Sequence, residues 1–92
     1  MRTITKIRND LFHIISIPGD NLKFDYFVYR HGPDDFCFMP GKSTFIFPQR
    51  LNYYNHVALE ENERLDIARL YRCNPSTVKE CVLVMDELKN NY

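Results

Sequence analysis

The sequence predicts an α+β fold in which a small antiparallel β-sheet of three to four strands is followed by two C-terminal helices. Three Gly/Pro clusters, "PGDN", "HGPDD" and "MPGKS", divide the first half into short segments rich in Phe, Tyr, Ile and Val. After Pro48 the chain changes to good helix formers at helical spacing. Because the chain has only 92 residues, 45% hydrophobic and 26% charged, we expect a single domain, mainly β over residues 1–50 and helical over 57–90.

The strands of the first half are predicted from period-two alternation. In "LKFDYFVYR" the apolar residues Leu22, Phe24 and Tyr26 alternate with Lys23 and Asp25, which is the pattern of a half-buried strand. The preceding run "LFHIISI" predicts a neighbouring strand, and "TITKIR" is expected to add a strand at an edge. The short runs "FCFM" and "TFIF" flank "PGKS" and predict a hairpin. Together these segments indicate an antiparallel meander.

Two helices are predicted in the second half. The segment "VALEENERLDIARLYR" has few β-branched residues and predicts a helix over roughly residues 57 to 72. Asn74 is a favoured N-cap residue and Pro75 is favoured at the first helical position, so a second helix is expected from Pro75 to about Lys89. An apolar stripe along this helix is expected to pack on one face of the sheet: Val78, Cys81, Val82, Met85 and Leu88.

Charge and cysteine content narrow the function classes. Lys plus Arg and Asp plus Glu number 12 each, so the chain lacks the positive field of a protein that coats nucleic acid. Three widely spaced cysteines do not suggest a disulfide framework, which favours a cytoplasmic location. The N-terminal apolar run is interrupted by polar residues, and no stretch approaches the roughly 18 apolar residues of a membrane span. We therefore expect no membrane association.

The segment from Arg64 to Leu83 carries the most specific pattern in the chain. Ala68 is a small residue in the first helix, and apolar residues occupy set spacings around the turn: Ile67, Tyr71, Cys73, Val78 and Cys81. In these places the segment resembles the helix-turn-helix superfamily. It departs from that superfamily at Arg72, where Gly is usual, and a left-handed backbone at a non-glycine costs on the order of 1 kcal/mol.

This resemblance implies a small DNA-binding, transcription-related regulator whose second helix reads DNA. Carried over residue by residue, the superfamily's base-contacting places fall on Asn74, Ser76, Lys79, Glu80 and Leu83. The arginines before the second helix would hold phosphates: Arg64, Arg69 and Arg72. The expected partner in this interpretation is DNA.

An alternative interpretation needs no DNA contact, because two antiparallel helices can simply cap a sheet. Phe27 and Tyr29 lie on the strand face opposite the alternating apolar residues, and exposed aromatic rings suit a protein interface or single-stranded nucleic acid. On the second helix, Leu83 with Val84 beside it would supply a small apolar surface ringed by charge. The alternative is a non-enzymatic adaptor or inhibitor, of the kind that phages and mobile elements encode, docking on a larger host protein or forming a homodimer.

Two short motifs suggest small-molecule chemistry but do not fit it. "PGKST" resembles the end of a phosphate-binding P-loop, yet Phe36 stands where the first glycine of that motif belongs and no helix pattern follows. In "HGPDDFC" the spacing of His31, Asp34, Asp35 and Cys37 is not that of a zinc site. We therefore predict a hairpin turn, no metal and no cofactor.

The remaining candidate for catalysis is a cysteine with a neighbouring base. Cys37 with His13 or His31 would form such a pair, but no local signature supports their proximity. Cys37 is instead expected in the core, and Cys73 and Cys81 are expected to be small packed hydrophobes. We therefore predict that the protein is not an enzyme.

Overall fold

The computed structural model describes residues 1–19, 21–43, 45–53 and 60–92. Within these ranges five strands precede two helices: β1 (Arg2–Arg8), β2 (Leu11–Gly19), β3 (Leu22–Gly32), β4 (Asp35–Pro40), β5 (Arg50–Asn52), α1 (Glu61–Tyr71) and α2 (Pro75–Asn91). The strands form one sheet in the order β1-β2-β3-β4-β5, and every neighbouring pair is antiparallel. This arrangement confirms the predicted α+β class, with one or two strands more than expected.

The fifth strand is not the one that the sequence predicted. β1 confirms the expected edge strand, but residues 45–47 of "TFIF" form no strand. The chain rejoins β4 at Gln49, whose carbonyl accepts from the N–H of Phe38 at 3.0 Å, and β5 begins at Arg50. Phe47 is buried and packs on the ring of Tyr26, with centroids 4.7 Å apart. Pro48 follows and has no N–H to donate to a ladder. Burial of Phe47 therefore takes precedence over pairing with β4 in this segment.

The core lies between one face of the sheet and α2. The strand register places Phe12 opposite Val28, and Val28 opposite Phe38, in one row across three strands. The apolar stripe predicted for α2 covers this face, and all five of its residues are at most 3% exposed: Val78, Cys81, Val82, Met85 and Leu88. In α1 only Ala68 is buried. The sheet and α2 thus form the main layers, and α1 lies at the periphery.

A three-residue turn, Arg72 to Asn74, joins the two helices. Arg72 has φ 55° and ψ 42°, in the left-handed region. The N–H of Cys73 donates to the carbonyl of Ala68 at 3.0 Å, and that of Arg72 to the carbonyl of Arg69 at 3.3 Å, which together form a Schellman motif. The Oδ1 atom of Asn74 accepts from the N–H of Ser76 at 3.0 Å, so the predicted start of α2 is confirmed.

The predicted start of the first helix and the predicted end of the second differ from the structure. The first helix was predicted from about residue 57, but α1 begins at Glu61, and residues 57 to 59 lie outside the described ranges. α2 extends to Asn91, slightly beyond the predicted end. In the part of the chain that the structure describes, neither helix has the length and apolar character that crossing a membrane requires.

Candidate functional site

The face of α2 that was expected to meet DNA is partly buried against the sheet. Glu80 is 2% exposed, and its carboxylate accepts hydrogen bonds from Arg2 at 2.7 and 3.0 Å, from the Ser16 hydroxyl at 2.8 Å and from the Tyr26 hydroxyl at 2.5 Å. The expectation that Glu80 contacts bases is therefore wrong. Its charge is compensated by donors from β1, β2 and β3, which the helical pattern alone does not reveal.

This network changes the protonation behaviour of its members. Hydrogen bonding to Glu80 raises the pKa of the Arg2 guanidinium. Burial, together with the nearby Glu80 carboxylate, raises the pKa of the Tyr26 hydroxyl well above its ordinary value. Tyr26 therefore stays a neutral donor at physiological pH, and the network holds α2 on the sheet.

The predicted apolar surface on α2 is reduced to one residue. Val84 is 0% exposed and belongs to the core, so its expected place in an interface is wrong. The reason is that Val84 lies one turn after Glu80, on the side of the helix that faces the sheet. Leu83 remains at the surface with 38% exposure, which alone is ordinary for a globular protein.

The other residues expected to contact DNA are at or near the surface of the helix pair. Lys79, Arg69 and Arg72 are exposed, and Arg69 lies 3.5 Å from the carboxylate of Asp66. Asn74 is exposed too, but its Oδ1 is already used by the backbone and hydroxyl of Ser76, at 3.0 and 2.8 Å. The structure thus places these residues along one end of the two helices, with basic and acidic groups intermixed.

The opposite face of the sheet is covered by neither helix. We call it the open face, and the register assigns to it Leu11, His13, Ile15, Phe27, Tyr29, His31, Cys37 and Met39. These side chains are partly or fully exposed. Phe27 and Tyr29 lie there as predicted, opposite the buried rings of Phe24 and Tyr26. Phe27 and Tyr29 thus present half-buried aromatic rings on the side of the sheet away from α2.

Aromatic and imidazole rings are arranged in contact across the open face. The rings of His13 and Phe27 are stacked, with centroids 4.7 Å apart and an interplanar angle of 23°. Further along β3, the rings of Tyr29 and His31 lie 4.5 Å apart. The guanidinium of Arg8 lies over the Tyr29 ring at 5.7 Å. These contacts hold the rings in fixed positions relative to one another.

Two ion pairs and one histidine–carboxylate hydrogen bond lie on or beside the open face. Arg8 pairs with Asp10 at 2.7 Å, His13 with Asp25 at 2.8 Å, and Arg50 with Asp35. Hydrogen bonding from His13 lowers the pKa of Asp25, and hydrogen bonding from Arg50 lowers the pKa of Asp35. Because these charges are paired, the face carries no strong field of either sign.

A groove of about 830 Å³ opens at the end of this face, where the chain leaves β4. It is lined by Tyr29, His31, Cys37 and Met39 of the open face, and by residues of segment 45–50 that include Phe45, Ile46 and Arg50. Ile46 is 62% exposed and Met39 is 39% exposed. Sequence reasoning missed this groove because it predicted a strand at residues 44–47, which would have closed the space beside β4.

Cys37 lines the groove and does not lie in the core. Its neighbours Phe36 and Phe38 point inward and are at most 3% exposed, so the alternation of β4 turns Cys37 to the open face. The Sγ atom of Cys37 lies 2.8 Å from Nε2 of His31.

Cys81 is fully buried, as predicted, and burial raises the pKa of its thiol. Among the residues with described positions, no three potential ligands converge to hold a metal ion.

Comparison with known proteins adds no further constraint, because no family model, no curated protein and no solved structure matches this chain.

Proposed function

We propose that this protein is a non-enzymatic protein-binding module, an adaptor or inhibitor, that docks on a larger protein through the groove at the end of the open face. The observation that carries the proposal is the groove itself, with Met39 and Ile46 presented to solvent among aromatic side chains. A volume near 830 Å³ falls within the range of pockets that bury a drug-sized ligand, so a large apolar side chain fits easily. The partner we propose is a protein segment that inserts an apolar or aromatic side chain.

The arrangement of charge supports a protein partner at this site. The arginines near the groove and face, Arg8 and Arg50, are each paired with a carboxylate. A polyanion such as nucleic acid would need to displace those carboxylates before it gained any attraction. An apolar side chain needs no such exchange. An apolar centre with charged residues at its margin is typical of protein–protein interfaces.

Free cysteines support a reducing setting for this interaction. The three thiols are unpaired, and Cys37 is accessible in the groove. Such thiols persist in a reducing cytoplasm and are vulnerable elsewhere. We therefore place the proposed interaction in the cytoplasm.

The test is affinity purification of the tagged chain from its native cell, after nuclease treatment, with matched variants. Ile46→Asp should abolish recovery of the partner, because it places a charge at the mouth of the groove without removing a core contact. Leu83→Asp, a similar change on α2, is the control and should leave recovery unchanged. Equal recovery with Ile46→Asp and wild type would reject the groove as the docking site.

A second candidate function, DNA binding by the helix pair, is favoured by a separate observation. The turn between α1 and α2 has a left-handed residue, Arg72, at the position where the helix-turn-helix pattern usually has Gly, and Asn74 caps the second helix. Lys79 and Arg72 are exposed near this turn. Against it stand the burial of Glu80 and an excess of acidic over basic residues, seven to five, in residues 58–92.

Binding to genomic DNA fragments at several salt concentrations tests this second candidate. Under it, Lys79→Glu should weaken binding and reduce the slope of log K against log salt by about 0.9, the effect of one lost phosphate contact. Ile46→Asp is the control here and should not alter binding. Absence of binding by the wild-type protein at low salt would reject the DNA interpretation and leave the groove as the functional surface.

A further inference from the structure

We propose that Cys37 and His31 form a reactive thiol site, at which Cys37 exchanges with low-molecular-weight disulfides that enter the groove. The Sγ atom and Nε2 of His31 are 2.8 Å apart, and both residues line the groove. The His31 ring gives the thiol a proton acceptor, and the groove lets the sulfur of a second molecule approach Cys37. The site lies in the groove proposed for docking, but the exchange needs no protein partner and can be tested on the free protein.

The local arrangement favours reaction at Cys37. With Nε2 unprotonated, the His31 ring accepts the hydrogen bond of the thiol and can take its proton, leaving a thiolate beside an imidazolium. Arg50 lies opposite Cys37 on β5 and adds a second cation, although Asp35 is paired with it. Tyr29 is the partner of Cys37 on β3 and contributes a phenol ring. The sulfur thus lies near one base, His31, one cation, Arg50 with its paired Asp35 carboxylate, and one phenol ring.

The other cysteines lack this setting. Cys81 is 0% exposed in the core, and burial raises the pKa of its thiol. Cys73 is half-buried at the turn between the helices, and desolvation raises the pKa of its thiol as well. In both places the thiol form is favoured, and the thiol form is the less reactive one. The chain therefore contains its own internal controls.

The exchange step is balanced without any further reagent. The Cys37 thiolate attacks one sulfur of the disulfide R–S–S–R, so that a bond forms between Cys37 and that sulfur while the original S–S bond breaks. The other half leaves as R–S⁻ and takes the proton held by His31. Cys37 is oxidised to a mixed disulfide, and one half of the reagent is reduced to a thiol. A reducing thiol reverses the reaction by the same route.

The experiment measures modification of each cysteine in the folded full chain at pH 7, by mass spectrometry of its peptides. When the initial rates of alkylation by iodoacetamide are compared, Cys37 should react about tenfold faster than Cys73. Cys81 should not react until the protein is unfolded. With glutathione disulfide, the mixed disulfide should form at Cys37 and should disappear on reduction. Equal reaction at Cys37 and Cys73, or a mixed disulfide at Cys73 alone, would overturn the proposal.

Two variants, each replacing one histidine by glutamine, test the role of His31. His31→Gln should slow reaction of Cys37 about tenfold, because the proton acceptor is lost. His13→Gln replaces another imidazole of the open face, away from the groove, and should not change the rate. Cys81 reports folding in both variants, since its reaction would reveal an opened core. An unchanged Cys37 rate in folded His31→Gln would show that the pair does not activate the thiol.

Discussion

The carboxylate of Glu80 on α2 accepts a 2.5 Å hydrogen bond from the hydroxyl of Tyr26 on β3, in the interior of the protein. The two residues are 54 positions apart in sequence, and both are at most 2% exposed. The bond joins the helix layer to the centre of the sheet. It also removes Glu80 from the surface of α2, so that the exposed side of this helix is narrower than its sequence suggests.

We expect Glu80→Gln to destabilise the protein by about 3 kcal/mol, because it leaves the Arg2 guanidinium without its buried counter-charge. The free energy of unfolding from urea denaturation is the measurement. Glu87→Gln is the matched control, since Glu87 lies 3.9 Å from the same guanidinium but is 41% exposed. Its effect should be below about 1 kcal/mol. Similar decreases in the free energy of unfolding in both variants would show that the buried network stabilises the protein no more than the exposed ion pair does.

Gly41→Ala should destabilise the fold by about 1 to 3 kcal/mol through crowding. A Cβ at this position would lie 2.6 Å from Oδ1 and 2.7 Å from the backbone oxygen of Asp25, which is held in β3. Gly32→Ala is the control, because a Cβ there meets nothing within 4 Å. Thermal melts of both variants test the prediction. A wild-type melting temperature for Gly41→Ala would contradict the close approach of residues 25 and 41.

Stability should fall in acid through titration of Asp25. Hydrogen bonding from His13 lowers the pKa of this carboxyl in the folded state. Its contribution is therefore present above the unfolded value near 3.9 and is lost as pH falls through the lower folded value. Asp25→Asn should flatten the curve of unfolding free energy against pH below the unfolded value. His13→Leu should flatten the same region, and an unaltered slope in both would disprove the coupling.

Arg72→Gly should stabilise the protein by about 1 kcal/mol, because glycine adopts the left-handed conformation without a Cβ penalty. For a domain of this size, that gain corresponds to a rise in melting temperature of roughly 4 to 8 °C. Arg69→Gly, at an exposed position inside α1, should instead cost about 1 kcal/mol. A decrease in stability for Arg72→Gly would indicate that the arginine side chain makes a contact that outweighs its backbone strain.

Local patterns were sufficient for most secondary structure. The alternation of apolar residues in β3 assigned Phe24 and Tyr26 to one face and Phe27 and Tyr29 to the other, because successive strand residues point to opposite sides. The start of α2 at Pro75 followed from the Asn74 cap. The segment at residues 45–47 was misread because its apolar residues suit a strand, while in the protein Phe47 is buried against Tyr26.

Much less of the candidate site can be predicted from the sequence. Phe27 and Tyr29 were identified, since their place depends only on strand alternation. The sequence does not predict that Cys37 contacts His31, because that contact depends on the register between β3 and β4. The sequence does not predict the groove, because the groove exists only where residues 45–48 diverge from β4.

The sequence by itself determined which side chains alternate toward the core, where α2 begins and that a tight turn precedes it. These features depend on neighbours within a few residues, through backbone geometry and local hydrogen bonds. Only the tertiary structure decided that Glu80 is buried and that one sheet face stays open. A charge can be buried only if donors reach it, and here they come from Arg2, Ser16 and Tyr26, at least 54 residues away in sequence. Likewise, which apolar face remains uncovered depends on where the two helices pack, and that is a property of the whole chain.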